Sequence, residues 1–220
     1  MRFGSKAAIA VGFTLASSLS ALAADMPMKA VSSAPYNWTG LYAGVNAGGA
    51  WGSSTGVNAS GVIGGGQLGY NWQTSNIVFG IEADLQASSL KGSATTTALG
   101  ATFTESGKQN YFGTVRGRIG FVQGRWLAYA TGGWAYTTIK RDGTATGAVT
   151  GAYSASNSLS GYALGGGVEW AAWDRWTTKL EYLYLSFPGN TNIYATTPAI
   201  SATYGRLSEN IVRLGLNYRF

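Results

Sequence analysis

The chain has 220 residues, a net charge of +6, 33 glycines and no cysteine or histidine. Charged residues amount to 11%, less than half of the roughly 25% typical of soluble domains, so much of the outer surface does not face water, and an aromatic content of 13% argues against a disordered chain. The absence of histidine and cysteine excludes Ser-His-Asp, Cys-His and histidine-zinc chemistry; we expect no catalytic, metal or cofactor-binding residue, no cofactor and no enzyme activity.

The N-terminus reads as a secretory signal peptide over residues 1–23. Arg2 and Lys6 give a positive start, Ala7 to Leu15 a short apolar run, and Ala21-Leu22-Ala23 an A-x-A cleavage site, so that Ala24 opens the mature chain. The run is too short to cross the ~30 Å of hydrocarbon in a bilayer as a helix. Residues 24–37, with Pro27 and Pro35 among serines and alanines, read as a flexible periplasmic lead-in to a domain over 38–220.

Eight segments of about eleven residues with period-two alternation then follow. The first, Leu41–Trp51, sets Leu41, Ala43, Val45 and Ala47 against Tyr42, Gly44, Asn46 and Gly48. In the second, Val62–Trp72, Leu68, Tyr70 and Trp72 oppose Gln67, Gly69 and Asn71. The third, Ile77–Ala87, has an unbroken apolar face from Ile77 to Ala87, opposite Gly80, Glu82, Asp84 and Gln86. The fourth, Gln109–Phe121, opposes Val115, Ile119 and Phe121 to Thr114, Arg116 and Arg118. The fifth, Trp126–Thr137, conflicts with itself: Leu127 and Tyr129 fall on one face, Trp134 and Tyr136 on the other. The sixth, Ser160–Trp170, sets Tyr162, Leu164, Val168 and Trp170 against Gly165, Gly167 and Glu169. The seventh, Trp176–Ser186, places Leu180, Tyr182 and Tyr184 opposite Lys179 and Glu181; the eighth, Asn210–Phe220, places Val212, Leu214, Leu216, Tyr218 and Phe220 opposite Arg213, Asn217 and Arg219.

Strands of this length exceed the usual ~5–6 residues of globular sheets and match the ~9–11 needed to cross a bilayer at a tilt. Their even number fits a bacterial barrel. The connections Gln73–Asn76, Val122–Arg125 and Ala171–Arg175 are short; those over Gly52–Gly61, Ser88–Lys108, Thr138–Leu159 and Phe187–Glu209 are long. Short periplasmic turns alternating with long external loops are the signature of such a barrel. The expected fold is thus all-β, an eight-stranded antiparallel up-and-down transmembrane β-barrel. Trp38, Trp72, Trp126, Trp170, Trp173, Trp176 and Tyr218 gather at the short-turn end and are expected to form an interfacial aromatic girdle.

The strand charges share the non-lipid face. Glu82, Asp84, Arg116, Arg118, Glu169, Lys179, Glu181, Arg213 and Arg219 are expected to point inward, because a lone basic side chain facing lipid at mid-bilayer costs ~2–4 kcal/mol and buried charges need partners. An eight-stranded barrel is just wide enough for side chains to fill, which favours a plug of ion pairs over a conducting pore, although inward glycines such as Gly44, Gly48, Gly69, Gly165 and Gly167 leave room for water. The glycine runs Gly64-Gly65-Gly66 and Gly165-Gly166-Gly167 open no helix and precede no G-K-[ST], which sets phosphate-loop binding aside, and basic residues cluster only at Lys140-Arg141, which sets nucleic acid aside.

The segment Tyr36-Asn37-Trp38-Thr39-Gly40-Leu41-Tyr42-Ala43-Gly44 resembles the opening strand of small outer-membrane antigens of rhizobia and Brucella-type bacteria, within the opacity-porin, OmpA-like barrel superfamily. Tyr129 to Tyr136, Lys179 to Tyr184 and the ending Val212 to Phe220 resemble that family's fifth, seventh and closing strands. The resemblance implies an outer-membrane location, association with lipopolysaccharide, structural and host- or phage-contact roles for the long loops, and a C-terminal signal for the barrel-assembly machinery at Val212, Leu214, Leu216, Tyr218 and Phe220. It implies no catalytic site. A narrow porin for small solutes or ions is the alternative.

Overall fold

The computed structural model describes residues 36–54, 57–98, 100–148, 150–194 and 200–220. The expected signal peptide and nearly all of the lead-in lie outside the described residues.

Eleven strands follow in order: β1 (Gly40–Ser54), β2 (Val57–Thr74), β3 (Ile77–Ser88), β4 (Lys91–Ala98), β5 (Ala101–Gln123), β6 (Trp126–Gly147), β7 (Gly151–Ala171), β8 (Trp176–Phe187), β9 (Asn190–Tyr194), β10 (Ile200–Tyr204) and β11 (Leu207–Arg219). Eight of them close a ring, β1-β2-β3-β5-β6-β7-β8-β11, every neighbouring pair antiparallel, and β1 completes it by pairing with both β2 and β11. Closure removes the sheet edges that lipid cannot satisfy. The barrel therefore has the expected eight staves in up-and-down order.

Tight turns at one end set the register. Ser75 (φ 55°) turns β2 into β3 and Gly124 (φ 62°) turns β5 into β6. Positive φ in a two-residue hairpin turn matches the twist of the flanking strands, and glycine adopts it without strain.

The opposite end departs from expectation. The expected long loops are largely strand. β1 and β2 run on to Ser54 and Val57; β4 folds back on the outer part of β5; β6 and β7 continue to Gly147 and from Gly151; and β9 pairs with β10 as a separate hairpin. Strands β5, β6 and β7 are 23, 22 and 21 residues long, against 12 for β3 and β8. Thus β4 to β7 form a crown beyond the barrel, and a bulge between Gln109 and Tyr111 separates the barrel part of β5 from the crown part. Sequence alternation did not reveal the crown because its half-buried inner face carries mainly small and polar residues, such as Gly92, Ala94, Glu105, Gly107, Arg141 and Ala145, so no apolar face marks the period.

Burial alternates strictly along β3, and its odd-numbered apolar residues from Ile77 to Leu85 all face outward. On β6 the conflict resolves: Leu127 and Tyr129 are buried in the lumen, whereas Trp134 is half exposed on the outer wall. The period never changes; apolar residues occupy the inner face at the two ends of the lumen. The same applies on β8, where Leu183 and Leu185 are fully buried between outward Tyr182 and Tyr184.

Candidate functional site

The lumen is layered. At its centre lie four acids, Glu82 and Asp84 (β3), Glu169 (β7) and Glu181 (β8), with four bases, Arg116 and Arg118 (β5), Lys179 (β8) and Arg213 (β11), all buried. Period two on neighbouring strands brings them to one level, since Glu82 pairs in register with Arg116, Glu169 with Lys179, and Glu181 with Arg213.

Glu82 is the hub. Its carboxylate is 2.5 Å from Arg116, 2.8 Å from Lys179 and 3.6 Å from both Arg118 and Arg213. Asp84 binds Arg116 at 3.0 Å and Arg213 at 3.2 Å. Glu181 binds Arg213 at 2.6 Å and Arg116 at 3.2 Å. Glu169 holds Arg118 at 2.9 Å. Neutral donors satisfy the remaining carboxylate lone pairs: Tyr42 Oη donates to Glu82 (2.8 Å), Tyr129 Oη to Glu181 (2.9 Å), Thr114 Oγ1 to Asp84 (2.6 Å), and Asn217 Nδ2 to Glu169 (2.8 Å). The Arg118 guanidinium carbon lies 5.2 Å from the Tyr42 ring centroid and 4.8 Å from that of Tyr129, a desolvated cation–π arrangement. Four charges of each sign leave no net charge, which is the condition for burying so many.

Beside this network, side chains from neighbouring strands lie over the inward glycines Gly69, Gly167 and Gly215. A Cβ at Gly69 would strike the Tyr42 hydroxyl, one at Gly167 would meet the Tyr129 hydroxyl at 2.8 Å, and one at Gly215 would meet Lys179 Cγ at 2.9 Å. Each glycine makes room for a side chain that reaches the centre.

Apolar layers close the lumen on both sides of the charges. Toward the short turns, Trp38, Val78, Val122, Leu127, Tyr129 and Ala171 pack together. Toward the crown, Phe112, Ala135, Leu183, Leu185, Phe187 and Ile211 are fully buried in a second cluster.

Two residues stand elsewhere than the sequence pattern implies. Trp38 is not in the girdle: it is 1% exposed, within the lower apolar layer, and its backbone N–H donates to Gln73 Oε1 at 2.7 Å. The reason is that residues 36–39 precede the first stave and fold into the barrel mouth instead of lying along its wall. Arg219 is not in the central network. It stands at the same mouth, half-buried, with its guanidinium 4.4 Å from the Tyr36 ring centroid, because it is one full pleat below Asn217. Burial pushes the Tyr36 phenol's pKa up against the lowering effect of Arg219.

Trp72, Trp126, Trp170, Trp173 and Trp176 are exposed on the outer wall or turns at the short-turn end. Trp126 stacks on its register partner Trp170 at 5.9 Å, and Trp176 meets Tyr218 edge-on at 5.1 Å. Val212, Leu214, Leu216 and Phe220 also face outward. A second set of exposed aromatics, Trp51, Tyr111, Trp134, Tyr162 and Tyr182, occurs toward the crown. Glu209, which the sequence pattern places at the end of a loop, is buried on β11 and accepts a bond from Gln109 Nε2 at 3.3 Å. Continuing the inward period from Arg213 through Ile211 would have found it.

Among the described residues no group of three or more acidic residues could hold a metal ion. What the arrangement does chemically is hold opposite charges in a dry interior and tie five staves together through side chains.

Comparison with known proteins agrees with this architecture. The chain is 36% identical to a 31 kDa outer-membrane immunogenic protein of Brucella melitensis, over 91% of this chain and 94% of that protein. It is 33% identical to a 22 kDa outer membrane protein of Rhizobium leguminosarum bv. viciae, over 71% of this chain and 66% of that one. Neisserial surface protein A superposes with a TM-score of 0.48 at 14% identity, covering 83% of this chain and 98% of that structure. The family model for the outer membrane protein beta-barrel domain matches residues 11–220. The chain therefore belongs to the outer-membrane β-barrel family and resides in the outer membrane of a Gram-negative bacterium.

Proposed function

We propose that this barrel is a structural and surface protein of the outer membrane, one that supports envelope integrity and presents its crown outward for interaction, and not a porin or an enzyme. The carrying observation is the filled lumen: a charge-balanced network whose members are almost entirely inaccessible to solvent, between two apolar layers. A permeating ion would have to displace several charge-assisted bonds at once, each worth roughly 1.5–3 kcal/mol, and then pass two clusters of buried apolar side chains. The lack of histidine supports the non-enzymatic reading. The outward, aromatic-ended β11 fits recognition by the barrel-assembly machinery, and the crown is the surface available to a host or phage ligand.

Planar-bilayer recording tests the reading. Purified barrel should give no steady channel; a reproducible stepwise conductance would support the narrow porin instead.

A further inference from the structure

Glu209 is a buried carboxylate that the central network does not use. It is 2% exposed on β11. Leu207 and Ile211 flank it on the same face of the strand, and its register partner on β8 is Leu185; all three belong to the crown-side apolar cluster. Its register partner on β1 is Gly52, where a Cβ would meet Glu209 Cγ at 3.0 Å, so glycine there makes room for the acid.

Among the described residues its hydrogen-bond donor is a neutral amide. Gln109 Nε2 donates to Glu209 at 3.3 Å and to Thr137 Oγ1 at 2.8 Å, while Gln109 Oε1 accepts from Ser88 Oγ at 3.4 Å. The inward residues of the elements around it, Gly52, Ser88, Thr137 and Leu185, carry no charge. The nearest base on its own strand, Arg213, lies two pleats nearer the centre and is held by Glu181 and Asp84. On the inner face of the crown, Arg141 stands one pleat beyond Ile139 on β6 and Glu105 two pleats beyond Gln109 on β5; neither forms an ion pair with Glu209. Arg206, just ahead of β11, is exposed.

An ionised carboxylate in this setting loses its hydration and gains no counter-charge. Burial accordingly pushes the Glu209 pKa up to about 7, against the lowering effect of the Gln109 amide, whereas a free glutamate titrates near ~4.3. The position is external to the hydrocarbon: Glu209 is one residue crownward of Asn210, the register partner of outward Trp51, and the crown is the external end by turn length. The chain has no histidine and no cysteine, the side chains that ordinarily change charge around neutral pH.

We propose that Glu209 is a proton-operated latch on the external mouth of the barrel: with its proton it seats in the apolar cluster, and on releasing that proton to the external solution it draws water in and loosens the outer ends of β1, β5, β8 and β11. A folded-state carboxyl raised above its unfolded value stabilises the fold fully at acid pH, and that stabilisation is lost as the pH climbs through the window between the two values.

The test unfolds barrel in phosphatidylcholine vesicles with urea at pH values from about 5 to about 8, followed by tryptophan fluorescence. Unfolding releases one proton across the window, so the unfolding equilibrium constant of wild type should rise about tenfold per pH unit up to about pH 7 and then level off. Glu209→Gln, which keeps the shape of the protonated acid, should match wild type at the acid end and stay flat. In the folded protein, hydrogen exchange over residues 207–213 should be faster in wild type than in Glu209→Gln at about pH 8 and equal at about pH 5; comparison at one pH cancels the intrinsic rate. Difference infrared spectra of folded wild type between about pH 6 and about pH 8, a range in which ordinary carboxylates are already ionised, should show the loss of a protonated-carboxyl stretch that Glu209→Gln lacks. A wild-type stability profile as flat as that of Glu209→Gln, or a slope that Glu209→Gln retains, would overturn the proposal. So would the absence of a protonated carboxyl from the wild-type infrared spectrum at about pH 6, a reading that does not depend on any variant refolding.

Discussion

Replacing Glu82 by glutamine isolates the central network, because it keeps the shape and removes one charge. Glu82 faces four cations, two of them within 2.8 Å, and is 3% exposed. After substitution four buried bases face three buried acids. Breaking a buried pair from one side costs about 3–5 kcal/mol, and the glutamine oxygen still accepts a hydrogen bond, so we expect about 3 kcal/mol. With a urea dependence of about 2 kcal/mol/M, the unfolding midpoint in phosphatidylcholine vesicles should fall by about 1.5 M, followed by tryptophan fluorescence and heat-dependent gel migration. Adding Lys179→Met restores the charge balance and should recover about 1–2 kcal/mol, a coupling typical of residues in contact. Arg206→Gln, at an exposed position, should change stability by less than about 0.5 kcal/mol. If Glu82→Gln matches Arg206→Gln, or if Lys179→Met deepens the loss, the network does not hold the barrel together as argued.

Other outcomes follow from the same geometry. Trp38→Ala, which empties a fully buried site, should cost about 3–5 kcal/mol, whereas Trp126→Ala on the outer wall should cost much less; equal losses in a urea titration would restore Trp38 to the girdle. Gly69→Val should push Tyr42 off its bond to Glu82 and cost at least about 1 kcal/mol, and pairing it with Tyr42→Phe should add little further; full additivity in that cycle would refute the contact. Leu85→Arg, on the lipid face, should cost about 2–4 kcal/mol relative to wild type, as measured by reversible folding into vesicles. Deleting Phe220 should slow assembly by the purified assembly machinery in proteoliposomes while leaving spontaneous folding into thin vesicles nearly unchanged.

The staves were legible because one face of each meets hydrocarbon, so the period-two contrast is strong along β3, β7 and β11. The central charges were legible for the complementary reason: nothing but the lumen can hold Glu82 or Arg116. Three features were hidden. Leu127, Leu183 and Leu185 look like lipid-facing residues, yet they form the apolar layers of the lumen, and composition cannot distinguish a dry interior from a lipid exterior. Trp38 looked interfacial because its fold back into the mouth depends on a long-range bond to Gln73. The crown shows no apolar period because its half-buried inner face is built largely of glycine, alanine and polar residues.

The account rests on which side of each stave is the inside, and β8 tests this best because apolar residues occupy both its faces. The chain has no cysteine, so single cysteines at 180, 182, 183 and 185 can carry a spin label in membrane-reconstituted barrel. Labels at Leu180 and Tyr182 should relax readily with oxygen dissolved in the bilayer, and labels at Leu183 and Leu185 should be shielded from both oxygen and aqueous nickel chelate. Oxygen access at Leu183 and Leu185, or nickel access there matching that of an exposed loop, would contradict it.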